Sequence, residues 1–313
     1  MTRLIPALMA GVAALALTAA VAAYAQDDGD ITRFGPETFQ VEDFEVDGFV
    51  GTIEIIVEDR GDIEISAYGP AERMERFEVD ASSNAVEVSY ESEGFRWADW
   101  STWVSWWDHN TFKVGDYPVV TVRVPEGTGV DVDGMTGIFN AGDLNGRLSF
   151  DGAGAIDATI GTLRSANIDI AGAADITLGD VSGPVEISIA GAGDIRGQSA
   201  RSLDVDMSGA SEIIFTHIDG GLDVSIAGVG EVEVTSVNGP VDISIAGAGD
   251  VTIDEGRAER FDVSIAGAGD VRFGGTAVDP DISIRGAGDV YIERYEGRLN
   301  HSGGGDITIG SGS

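Results

Sequence analysis

Cysteine is absent from the 313 residues. That removes disulfides, thiolate metal sites, cysteine nucleophiles and a lipidated N-terminal Cys together. Lysine is nearly absent as well: Lys113 stands alone, and Lys plus Arg come to 18 against 54 Asp plus Glu, a formal charge of −36 with a pI near 4.1. Nucleic acid is thereby excluded as a partner, because phosphate backbones are bound by clusters of Lys and Arg. The three histidines, His109, His217 and His301, are scattered without H-x-x-x-H or H-E-x-x-H spacing. No G-x-S-x-G elbow and no phosphate loop occurs either. What is abundant is glycine, at 45 residues, and apolar material, at 43%. The latter is enough to build a core, so disorder is not expected despite the charge.

The one long apolar run lies at the start. Met1-Thr2-Arg3 is followed by an Ala-rich stretch from Leu4 to Ala23, then by Ala23-Tyr24-Ala25 and the acidic Gln26-Asp27-Asp28-Gly29-Asp30. This order of features is a signal peptide over residues 1–25, cleaved between Ala25 and Gln26. An uncleaved anchor is the alternative, but alanine is a weak membrane residue. The expectation is export to the periplasm, the extracellular space or the cell surface, with no stable membrane insertion after cleavage. Residues 26–42 read as an acidic flexible lead.

From about residue 130 to 309 a phrase recurs, as Ile187–Ile195 (ISIAGAGDI), Ile243–Val251 (ISIAGAGDV) and Val263–Val271 (VSIAGAGDV), with looser copies between. The first glycine of each copy is Gly134, Gly152, Gly172, Gly191, Gly209, Gly228, Gly247, Gly267, Gly286 and Gly303, at intervals of 17 to 20 residues. Such a period means a solenoid. Within a copy, Val241, Ile243 and Ile245 alternate with Asp242 and Ser244, and period two with β-branched residues means strands. The Gly-Ala-Gly between strands supplies a bend where a Cβ would clash or φ must turn positive. The fold class is therefore all-β: a parallel β-helix of about ten coils of roughly 19 residues, on the order of 45 Å long at about 4.8 Å per coil. Each coil holds two or three short strands. Right-handed crossover is the default, and no six-residue phrase supports the left-handed form.

Three inward rows follow from the alternation. They run Ile168, Ile187, Val205, Val224, Ile243, Val263, Ile282; then Ile170, Ile189, Met207, Ile226, Ile245, Ile265, Ile284; then Ile176, Ile195, Ile213, Val232, Val251, Val271, Val290. Upstream, residues 43–129 form a distinct N-terminal β segment, with strands such as Ile53-Glu54-Ile55, Ile63-Glu64-Ile65 and Val86-Glu87-Val88. It leads through Val122-Arg123-Val124-Pro125 into the Gly-Ala-Gly-Asp coils.

A β entry, a V-x-V-P strand and stacked G-A-G-D coils, in that order, resemble the head-GIN-domain family, described as auto-transporter adhesins. The resemblance covers roughly Asp43 to Ile309. It implies a parallel β-helical surface or periplasmic protein with an adhesive role and no enzymatic chemistry. One departure is that no membrane-barrel pattern follows the tail at residues 310–313, so a complete auto-transporter is not expected of this chain.

Two acidic rows carry the charge. One, after the second glycine, is Asp175, Asp194, Glu212, Glu231, Asp250, Asp270, Asp289 and Asp306; the other is Asn167, Glu186, Asp204, Asp223, Asp242, Asp262 and Asp281. Both read as solvated faces that keep a rod soluble and in part cap turn N–H groups. A sharper alternative is a cation-binding structural rod, with Ca²⁺ held at Asp194, Asp250, Asp270 and Asp289, because hard ions take several carboxylate oxygens. The spacing of the calcium phrase G-G-x-G-x-D is not met, and no other cofactor is implied. A second alternative is a carbohydrate-active β-helix enzyme, which needs one acid and one base at a defined separation; regular rows single out no such pair, and no catalytic residue is assigned.

All five tryptophans, Trp97, Trp100, Trp103, Trp106 and Trp107, lie in an insert at about 91–117. Trp97, Trp100, Val104 and Trp107 share one helical face. The segment reads either as a cap over a solenoid end or as the binding patch for a glycan or a surface protein. The sequence leaves the oligomeric state open.

Overall fold

The computed structural model describes residues 31–90 and 116–310. Residues 1–25, where a signal peptide is expected, and all five tryptophans lie outside the described residues. Two large sheets, of fourteen and thirteen strands, face each other across a single core. From β8 (Gly129–Asp133) and β9 (Thr136–Ala141) to β26 (Asn300–Gly303) and β27 (Ile307–Ile309), even-numbered strands stack in parallel in the thirteen-stranded sheet and odd-numbered ones in the fourteen-stranded sheet. Twenty strands at two per coil make ten coils.

Stacking is in register, so like residues meet. Ile187 pairs with Val205, Val205 with Val224, and Val224 with Ile243. Every member of the three inward rows is at most 3% exposed. Aromatics fill the core where the aliphatic rows leave room: Phe139 packs edge-on against Phe150 at 5.3 Å, and Phe261 stacks on Phe273 at 5.1 Å.

The bend glycines are dictated by close approach. At Gly172, Gly191, Gly209, Gly228, Gly247, Gly267 and Gly286, a Cβ would run into the carbonyl oxygen of the glycine one coil before. That same oxygen accepts a hydrogen bond from the next N–H, as Ala210 to Gly191 at 2.9 Å and Ala248 to Gly228 at 3.0 Å. None of these glycines has positive φ. The column begins at Gly154, which stands over Thr136. Gly152 instead pairs with Ile170 inside β10 (Arg147–Gly152), and Gly303 pairs with Ile284. The copies at Gly134, Gly152 and Gly303 are thus displaced from the phrase reading, because their registers are set by strand pairing.

The N-terminal segment is part of the same rod. β2 (Asp43–Asp47) pairs in parallel with β8, and β3 (Val50–Val57) with β9, extending each sheet by a coil. β6 (Ala85–Tyr90) and β7 (Val119–Val124) add one more strand to each. Antiparallel strands then close the end: β4 (Ile63–Pro70) on β7, and β5 (Phe77–Ala81) on β6, with the short helix α1 (Ala71–Met74) between them in sequence. The expected acidic flexible lead is in part a strand. Within residues 26–42, Ile31–Phe39 form β1, paired antiparallel with β4. Phe34 of β1 meets Phe77 of β5 edge-on at 5.5 Å, so the two sheet edges clasp over the end of the core. The apolar ring, read over an acidic background, left no alternation to reveal a strand.

Replacing Gly228 by Ala is expected to destabilise the fold by about 1–3 kcal/mol, the usual range for forced overpacking. Replacing its exposed neighbour Val229 by Ala should leave stability within about 0.5 kcal/mol. Chemical denaturation of the two variants checks the contrast.

Candidate functional site

The outer face of the thirteen-stranded sheet is a carboxylate array. Strand parity sends alternate residues outward, and register aligns them across coils. One row runs Asp80, Glu87, Glu45, Asp131, Ser149, Asn167, Glu186, Asp204, Asp223, Asp242, Asp262, Asp281 and Asn300. The second row, two residues on, passes through Asp47, Asp133, Asp151, Asp169, Ser188 and Asp206, then becomes Ser225, Ser244, Ser264, Ser283 and Ser302. The first row therefore extends well past Asn167 into the N-terminal segment. That part was hidden in the sequence because β2, β5, β6 and β8 lack the repeat phrase, and only pairing brings them into line.

Partial burial, and after it the neighbouring charges, shifts four of these acids upward. Asp151 is raised by partial burial and then by Asp133 and Asp169 on either side. Asp204 is raised by burial, Asp206 and Glu186. Asp223 is raised by burial, Asp204, Asp242 and Asp206, with Arg260 opposing. At the N-terminal end Glu87 is raised by burial, Asp47, Glu45 and Asp80. Arg260 is the local counter-charge, 3.6 Å from Asp242 and 3.1 Å from Asp262.

The fourteen-stranded sheet carries the other expected ladder. Asp157, Asp175, Asp194, Glu212, Glu231 and Asp250 pair in register. Asp194 lies 3.7 Å from Arg196, which also reaches Asp175 at 3.7 Å and Glu212 at 3.0 Å. Farther along, the carboxylates accept hydrogen bonds from the backbone of the next coil. The Asp270 N–H donates to Asp250 at 3.0 Å, the Asp289 N–H to Asp270 at 2.9 Å, and the Asp306 N–H to Asp289 at 3.2 Å. The four residues named for Ca²⁺ thus stand in a line. Asp250, Asp270 and Asp289 each commit an oxygen to the coil below, and Asp194 faces a guanidinium. Among the described residues no group of three or more His, Cys, Asp or Glu is arranged to hold a metal ion.

Trp97, Trp100, Trp103, Trp106 and Trp107 lie outside the described residues. The described positions that flank the insert, Tyr90 and Tyr117, share one neighbour. Arg73 of α1 sits 4.7 Å over the Tyr117 ring, and its pKa is raised chiefly by the Tyr90 hydroxyl beside it. The geometry falls short of a hydrogen bond, and the buried Tyr90 hydroxyl has no partner among the described residues. His217, near the end of the strand Ala210–Ile218, bonds Asp219 at 2.9 Å on the surface, and His301 lies in β26.

The raised carboxyls make stability depend on pH with a definite sign. Each binds its proton more tightly in the folded chain than in the unfolded one, so folding is favoured by protonation and stability falls as pH rises. The gain is complete below the ordinary carboxyl values of 3.8 and 4.5 and is lost as pH climbs through the raised folded values. Glu296 is the exception, held low by Arg257, but it is fully exposed and solvent-screened. Thermal unfolding followed by circular dichroism should give a higher Tm at about pH 5 than at about pH 7.5. About 0.5 M NaCl should raise the neutral Tm and narrow the gap, because the repulsion is screened.

Comparison with known proteins places the chain. A family model described as "Putative auto-transporter adhesin, head GIN domain" matches residues 49–240 and 235–312. No curated protein matches. Among solved structures, a putative adhesin from Bacteroides fragilis is 15% identical, with 90% of this chain and 97% of that one covered and a TM-score of 0.31. A putative adhesin from Parabacteroides distasonis is 9% identical, covering 90% and 98%, with a TM-score of 0.32. A putative lipid binding protein from the same species is 15% identical, covering 91% and 96%, with a TM-score of 0.33. On the family match, which spans most of its length, the chain belongs to the head GIN domain family of putative auto-transporter adhesins.

Proposed function

We propose that this is an exported, non-enzymatic solenoid of adhesin type that meets a glycan or a surface protein through its outer surface. Family membership supports the adhesive role. The observation that carries the reading is the regularity of the described faces. Outward carboxylates repeat coil after coil, as in Asp204, Asp223, Asp242 and Asp262. Catalysis would need one acid and one base set apart from their neighbours at a defined separation. A periodic row offers an extended surface instead.

Recognition is assigned to Trp97, Trp100, Trp103, Trp106 and Trp107. Large aromatic rings dominate binding hot spots and stack on sugar rings. The anionic faces favour solubility and repulsion of other anionic surfaces. Loops carried on a rigid scaffold are the usual bearers of binding groups. Export belongs to the same proposal, with the leader of residues 1–25 removed between Ala25 and Gln26.

Two measurements test these assignments. N-terminal sequencing of the protein recovered from fractionated cells should begin at Gln26 in the periplasmic or surface fraction; a chain retained with Met1 in the inner membrane would overturn export. The double variant Trp100→Ala, Trp103→Ala should lose at least about tenfold in binding to glycan arrays or whole cells, with its melting unchanged. A fall in stability of several kcal/mol, about 3–5 per buried ring, would instead make these rings a structural cover.

A further inference from the structure

We propose that the C-terminal end of the solenoid is a self-association surface, through which two copies of this chain stack end to end about a two-fold axis. The two ends of the rod are built differently. At the N-terminal end the edge strand β1 carries Arg33, Pro36 and Glu37, and the edge strand β5 carries Glu78 and Asp80. Charges and proline are the usual guards of an exposed edge, and Phe34 over Phe77 closes the core behind them. At the other end β26 reads Asn300-His301-Ser302-Gly303 and β27 reads Ile307-Thr308-Ile309, with neither charge nor proline.

The core is also thinly covered there. By register, the inward positions of the last coil are His301 and Gly303 under Ile282 and Ile284, and Ile307 and Ile309 under Val290 and Ile292. Ile309, at 36% exposed, and Tyr295 of the preceding coil, at 41%, are two of the four exposed large hydrophobics among the described residues.

Charge selects the occupant. A chain of net charge −36 repels its own copies across most of its surface. The carboxylate row of the thirteen-stranded sheet runs through Asp242, Asp262 and Asp281 and gives out at Asn300, while the neighbouring row ends in Ser302. A single foreign strand would cover one edge only. A second copy presents two edges at the same separation, with the same apolar layer between them.

Antiparallel pairing centred on Ser302 and on Thr308 keeps inward residues inward. It sets His301 against Gly303, Ile307 against Ile309, and Asp306 against Gly310, so no acid faces an acid. Ser302 and Thr308 each stand three residues from Gly305, so one axis normal to both sheets serves both strands. Such an isologous contact closes at the dimer and forms no filament.

The cysteine-free chain makes the test direct. Full-length protein carrying Ser302→Cys or Thr308→Cys should form a disulfide-linked dimer under mild oxidation. Ser244→Cys, in the same outward row at mid-rod, should remain monomeric. Light scattering of the unmodified protein should show a concentration-dependent monomer–dimer equilibrium that strengthens with salt. Thr308→Asp, an exposed change checked for unaltered melting, should weaken it at least about tenfold. The proposal is overturned by a monomer at every concentration with Ser302→Cys oxidising no faster than Ser244→Cys. A dimer that survives Thr308→Asp, or assembly into longer species, overturns it equally.

Discussion

The glycine carbonyl that accepts the next coil's N–H is the contact on which the rest of the structure depends. At Gly172, Gly191, Gly209, Gly228, Gly247 and Gly267 this oxygen receives a hydrogen bond at 2.9–3.0 Å and lies where any side chain of the following glycine would stand. With the bends held that close, strands on both sides of each bend meet in register. Aliphatic residues then stack on aliphatic residues in a dry column, and every member of the three inward rows is buried. One column of small residues thus sets the spacing for two sheets.

The same register imposes the electrostatic cost. A residue type repeated at one position of each coil meets its own kind about 4.8 Å away, and where that residue is acidic, like charges oppose one another. Three devices temper this. Arg196 and Arg260 each bridge more than one carboxylate. Backbone N–H groups donate to Asp250, Asp270 and Asp289. Serine replaces the acid in the second row from Ser225 onward. Burial, and after it the remaining repulsion, holds Asp151, Asp204, Asp223 and Glu87 above the ordinary carboxyl range.

The ends obey different rules from the middle, because an end lacks a neighbour on one side. The N-terminal end answers with antiparallel strands, a short helix and an aromatic clasp drawn from residues that share no repeat. The C-terminal end keeps the coil pattern, but on one sheet its acidic row gives way to Asn300, beside the serine row that runs on to Ser302. Among the described residues the repetition breaks at these two ends.

Much of the fold was legible in the sequence, for a physical reason. Period-two alternation, glycine recurrence and coil length are local properties, and residues such as Val205, Ile243 and Val271 can face only the core once the phrase repeats. The acidic rows could be read from Asn167 onward on the same ground. Pairing between segments that share no phrase was decided by tertiary structure alone. Only register joins Asp80, Glu87 and Glu45 to the row of Asp204 and Asp242, puts Thr136 rather than Gly134 in line with the bend glycines, and turns Ile31–Phe39 from an acidic lead into a strand closed by Phe34 on Phe77. Hydrogen bonding between strands distant in sequence is specified by the fit of whole faces, and no short window of residues contains that information.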